Sequence, residues 1–142
     1  MADIRPVTDA FAVAPQIQPG EVAELGGRFS LLINNRPDGE EAGQPTAAAI
    51  AAAAADAGLA CHHLPVTGAP TAEQVRRMRE LVEESSGPAL AFCRTGTRSI
   101  IAWAASRALA GEALPALELQ AREAGYEVGP SLAALLPRLR DA

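Results

Sequence analysis

The sequence contains no lysine. All 12 basic residues are arginines, set against 17 acids, and the net charge is −5. They form no basic run, so the chain is not expected to bind nucleic acid. Aromatic residues make up only 4% of the chain, while alanine is abundant, as a GC-rich genome produces by replacing Ser, Lys and Ile. Alanine favours helix everywhere, so propensity discriminates little and periodicity and punctuation must place the elements. Two cysteines do not make a disulfide framework. Long hydrophobic runs are missing too. The longest, Ala47 to Ala55, is mostly alanine and far short of the roughly 20 residues a membrane span needs, so no membrane association is expected. The opening Met1-Ala2-Asp3 lacks the basic and apolar regions of a signal peptide, and the cytoplasm is the expected compartment.

What is present suits one domain over residues 1–142. Hydrophobic residues are 49% of the chain and charged ones 20%, enough to bury a core. Short apolar runs at 11–14, 29–34, 60–66 and 88–92, bounded by Gly, Pro or Asn, read as strands. The pattern predicts a short helix at 21–25 and longer ones at 46–57, from Thr71 to about Gly87, on to about Ala110, and at 113–124 and 131–140. Thr71 and Gln74 form a capping box. Strands alternating with helices imply an α/β fold with a mostly parallel central sheet of about four strands and helices on both faces. In such sheets active sites lie beyond the carboxyl ends of the strands. Segments 34–43, 66–70 and 93–99 are expected to meet there.

The chemistry concentrates in Phe92-Cys93-Arg94-Thr95-Gly96-Thr97-Arg98-Ser99. A cysteine ends a buried strand, and five residues later an arginine enters the first turn of a helix. The backbone N–H groups of Arg94, Thr95, Gly96 and Thr97 can converge there, with Gly96 relieving a sharp turn. Together with the positive end of the helix they form an anion cradle. Arg98 offers a planar fork for an oxyanion. The same field favours the thiolate of Cys93 as a nucleophile, and Ser99 is placed to donate a hydrogen bond to its sulfur. The alternative, a small buried hydrophobe at a strand end, fits poorly with so polar a loop. Asp38, Glu40 and Glu41 follow a strand that ends at the same edge, so Asp38 is a candidate general acid, although Pro-Asp-Gly is also a turn by itself. Arg36 leaves the same strand end and is expected to pair with Asp38 or with the bound anion. His62 and His63 have no partner at metal-ligand spacing, and one of them reads as a core histidine. No metal or other cofactor is expected. Cys61 is placed about 15 Å from Cys93, too far for a disulfide.

The strand-Cys-loop-Arg-helix signature resembles that of cysteine-dependent phosphatases and of rhodanese-type sulfurtransferases. The wider chain resembles the bacterial beta-lactamase-hydrolase-like family with a phosphatase-like fold. The matching segments are Phe11–Gln18, Leu32–Glu41, Gly43-Gln44-Pro45, His63-Leu64-Pro65-Val66 and Cys93–Ser99. The resemblance implies a cysteine-phosphatase-like fold. It also implies a phosphatase that works through a phosphocysteine, on a phosphate ester. Fusions of that family to enzymes of sulfide and persulfide handling imply a second reading: a sulfurtransferase or persulfide carrier acting on a small sulfur compound. A third reading is a non-catalytic anion- or partner-binding module. Three positions depart from the phosphatase pattern. Four residues separate Cys93 from Arg98, as in the rhodanese loop, where the tyrosine and dual-specificity phosphatases have five. Phe92 stands where they have histidine. Thr67-Gly68-Ala69-Pro70 lacks the aspartate they carry.

Overall fold

The computed structural model describes residues 1–141. Its strands are β1 (Arg5–Thr8), β2 (Phe11–Ala14), β3 (Leu31–Asn34), β4 (Ala60–His63) and β5 (Ala89–Phe92). The α-helices are α1 (Ala47–Asp56), α2 (Ala72–Glu84), α3 (Thr97–Leu109), α4 (Leu114–Glu123) and α5 (Gly129–Arg140). A 3-10 helix, Pro19–Leu25, lies between β2 and β3 and takes the place of the short helix expected at 21–25.

The strands form one sheet in the order β1-β2-β5-β3-β4. β2, β5, β3 and β4 are parallel, and β1 is antiparallel to β2. The alternating pattern therefore places the parallel strands correctly but undercounts the sheet by one. β1 escapes it for a physical reason. Arg5-Pro6-Val7-Thr8 is neither an apolar run nor a clean alternation, and its proline is tolerated because the strand lies at an edge. Its pairing with β2 shifts register between Pro6 and Thr8.

Two cores cover the two faces. On one, Phe11, Val13, Ile33, Ala89 and Ala91 pack against α2, α3, α4 and α5. On the other, Ala12, Leu32, Leu90 and Phe92 pack against α1 and the 3-10 helix. Buried on both faces, β2, β3 and β5 carry the continuous apolar runs from which they were read. Trp103 is a core residue, its ring stacked on Phe11 at 5.0 Å. β4 is the other edge strand, so His62 and His63 are both exposed and neither is a core histidine. Thr71 caps α2 through its side chain, and Gln74 closes the capping box. Among the described residues no helix is long and apolar enough to cross a membrane.

Candidate active site

The parallel register brings Asn34, His63 and Phe92 level with one another, so the segments that follow β3, β4 and β5 leave the sheet side by side. Cys93 is the first residue beyond β5 and has no exposed surface. Its Sγ accepts a hydrogen bond from the Gly96 N–H at 3.1 Å. Gly96 is the N-cap of α3 and holds φ at +95°. Any side chain would be strained there, and an added Cβ would also meet the Tyr126 hydroxyl at 2.1 Å. That hydroxyl donates to the Thr95 carbonyl at 2.8 Å, so Tyr126 fixes the loop from outside. Burial pushes the Tyr126 phenol up, and the Arg5 guanidinium lies 5.3 Å from its ring centre. Among the described residues the N–H groups of Arg94, Thr95, Arg98 and Ser99 have no protein acceptor. Those of Arg98 and Ser99 belong to the open first turn of α3. The loop is therefore a cluster of free donors beside a buried sulfur.

Arg98 is held from two sides. Its Nη1 donates to Glu40 Oε2 at 2.8 Å and to the Val66 carbonyl at 2.7 Å, and its Nη2 donates to Glu40 Oε1 at 2.8 Å. Glu40 thus grips the end of the guanidinium. The Nε–H and the second Nη2–H lie on the remaining edge, spaced to hold two oxygens, and meet no oxygen acceptor among the described residues, while the nearby Cys93 sulfur favours the charged guanidinium. Glu40 Oε1 also accepts from Arg36 Nε at 2.8 Å. Bonds from Arg98 first, and from Arg36 second, hold the Glu40 carboxyl at about 2. Glu40 is therefore ionised at neutral pH and braces Arg98 without offering a proton.

Arg36 is only 3% exposed, and its charge is absorbed locally. Besides Glu40 it donates to Glu41 Oε1 at 2.6 Å and to Gln16 Oε1 at 3.1 Å. Its carbonyl lies 2.8 Å from His63 Nε2. The expected Arg36–Asp38 pair does not form, because the two glutamates reach the guanidinium and Asp38 faces another donor. Asp38 Oδ1 accepts from the Ala47 N–H at 2.8 Å, at the open N-terminus of α1, which Thr46 also caps. Ser99 differs as well. Its hydroxyl donates to Asn35 Oδ1 at 2.8 Å, so its proton is not directed to the sulfur. Asn35 in turn donates to the Leu64 carbonyl at 2.9 Å, tying the ends of β3 and β4 to α3. Arg94 is exposed and pairs with Glu41 at 3.1 Å. Thr95 and Thr97 bond to each other through their hydroxyls at 3.0 Å.

Sequence reading thus finds Cys93, Arg98 and the loop between them. It does not find Asn35, Gln16 or Tyr126, nor the part Glu40 plays as the brace of Arg98. The only sequence signal for Asn35 and Glu40 is the polar stretch from Asn34 to Glu41 after a buried strand, and Gln16 and Tyr126 lie outside it. Cys61 lies two strands from β5 and is half-buried. Burial pushes its thiol up, and both cysteines are free.

Residues 3–110 match the family model described as the phosphatase-like domain of beta-lactamase hydrolase-like protein. The beta-lactamase hydrolase-like proteins of Agrobacterium fabrum and Xylella fastidiosa are each 33% identical to this chain over 107 residues. Those residues are 74% of this chain and 25% of each relative, so the chain spans about a quarter of the length of these relatives. Among solved structures, a phosphatase candidate from Neisseria meningitidis superposes with a TM-score of 0.80 at 31% identity. The match covers 97% of this chain and 96% of that one. Tk-PTP in its active form has the same fold, with a TM-score of 0.78 at 20% identity, over 97% of this chain and 96% of that one.

Proposed function

We propose, from the premise that the chain belongs to the family of the phosphatase-like domain of beta-lactamase hydrolase-like proteins, that it hydrolyses phosphate monoesters through Cys93. The observation that supports the reading is the pairing of a buried sulfur with an arginine whose Nη end is braced by Glu40 and whose Nε–Nη2 edge meets no oxygen acceptor among the described residues. The thiolate of Cys93 attacks phosphorus, and the bond from phosphorus to the ester oxygen breaks. Arg98, through Nε and Nη2, and the loop N–H groups hold the three non-bridging oxygens as charge builds on them. Water then attacks the phosphocysteine, releasing inorganic phosphate and restoring the thiolate. Glu40 orients Arg98 as a positioning residue. With Glu40 ionised and Asp38 capping α1, the leaving oxygen takes its proton from water. The test is turnover of p-nitrophenyl phosphate with trapping of the intermediate. A phosphate adduct on Cys93, lost in Cys93→Ser together with the activity, is expected. Hydrolysis that survives Cys93→Ser would overturn the mechanism.

The four-residue spacer between Cys93 and Arg98 favours a second reading, sulfur transfer. There the thiolate attacks the outer sulfur of thiosulfate, sulfite leaves, and Cys93 carries a persulfide. Incubation with thiosulfate followed by mass spectrometry separates the two. A gain of one sulfur on Cys93 in a protein that turns over no phosphate ester would put this reading first.

A further inference from the structure

Beside Arg98 a cleft of about 420 Å3 opens between the segment after β4 and the helices α3 and α5. That volume is in the range of small-molecule sites. Pro70 and Ile101 line it together with Ala134 and Leu135 of α5. Arg98 stands at one part of its lining and Arg138 at another, and no acidic residue lines it, although acids outnumber arginines in the chain. Ser131, Ala134, Leu135 and Arg138 recur at helical spacing, so a single face of α5 forms the wall. From Ser131 to Arg138 that wall runs about 10 Å along the helix. Arg138 lies in the last turn of α5, is exposed, and has no carboxylate partner among the described residues. Arg107, a cleft-lining arginine elsewhere in the molecule, is by contrast tied to Glu83 and Glu112.

We infer that this cleft receives the leaving group of the substrate and that Arg138 selects esters whose leaving group carries a second anionic group beyond an apolar segment. The inference rests on the phosphatase reading and adds a substrate class to it: small phosphate monoesters with an apolar body and a distal carboxylate or phosphate. The reasoning is one of complementarity. The apolar wall gains by covering hydrocarbon. The free guanidinium gains only from an anion, and a neutral leaving group leaves it as it is in water. Because Arg138 is exposed, the preference is modest and salt-dependent.

The experiment compares 4-(2-carboxyethyl)phenyl phosphate with its carboxamide, which differ in charge far from the reacting phosphorus and hardly in leaving-group basicity. In the wild-type chain at low ionic strength the carboxylate is expected to show a kcat/KM about fivefold higher than the amide. In Arg138→Gln, a surface change that threatens no packing, the ratio is expected to fall to about one. Turnover of p-nitrophenyl phosphate with a ratio near one in wild type, or a ratio that Arg138→Gln leaves intact, overturns the cleft assignment and leaves the phosphatase reading standing. If no phosphate ester is turned over, that reading fails. The cleft is then judged by calorimetric binding of the matching benzylphosphonates. A carboxylate preference that disappears in Arg138→Gln supports it, and equal binding of acid and amide overturns it.

Discussion

Replacing Glu40 with glutamine removes one charge and almost no volume. In the wild-type chain the Glu40 carboxylate takes two bonds from Arg98 and one from Arg36. Its acid strength, moved from an ordinary 4.5 to about 2, sets a ceiling of about 3.4 kcal/mol on what ionisation contributes to folding. The side chain is 27% exposed, so solvent screening reduces the expected loss at pH 7 to about 1–2 kcal/mol. The sign follows from the depressed value. The contribution is complete above about pH 4.5, where the unfolded chain is ionised too. It fades as pH falls toward 2, and less than half of it remains at pH 3. Urea unfolding of wild type and Glu40→Gln at pH 7, 4 and 3 reads this directly. The gap between the two is expected to be widest at pH 7 and less than half as wide at pH 3. The amide can accept only one of the Arg98 bonds and turns its NH2 toward a cation. Arg98 then keeps the Val66 carbonyl as its one sure anchor. The kcat on an aryl phosphate is expected to drop about 10- to 100-fold from misplacement of the guanidinium. A stability gap that does not change with pH would refute the charge argument. Unchanged kcat would refute the bracing role.

Three further outcomes follow from the same geometry. Asp38→Asn should slow an alkyl and an aryl phosphate to the same small extent and cost about 0.5–1 kcal/mol at the α1 N-terminus, measured by kinetics and urea unfolding; a selective loss on the alkyl ester would return Asp38 to the role of general acid. Gly96→Ala should destabilise the chain by about 2 kcal/mol or more and weaken phosphate binding, because φ at +95° and the Tyr126 hydroxyl both exclude a methyl group; calorimetry with phosphate checks it, and binding at wild-type affinity would count against the rigid loop. Ser99→Ala should cost about 1–3 kcal/mol in unfolding free energy by stripping Asn35 Oδ1 of its buried donor, and a neutral result would show that the carbonyl finds another.

The continuous apolar runs of β2, β3 and β5 and the Thr71–Gln74 capping box were legible in the sequence because each is a local pattern. So was the Cys93–Arg98 loop, whose donors, sulfur and guanidinium are contiguous and need only a strand before them and a helix after. β1 was not, since an edge strand buries too little to impose an apolar period. Nor was the exposure of both histidines, which depends on β4 lying at an edge and not on its composition. The rest of the site was decided by which loops leave the sheet as neighbours. Glu40 reaches Arg98 across 58 positions, Asn35 reaches Ser99 across 64, and Tyr126 reaches Thr95 across 31. The β5-β3-β4 adjacency creates the first two contacts, and the docking of the segment between α4 and α5 creates the third. Asp38, Glu40 and Glu41 are three similar acids in one turn, and nothing local separates a helix cap from the brace of an arginine. Distance in the folded chain assigns them, because a carboxylate takes whichever donor the backbone brings within hydrogen-bond reach.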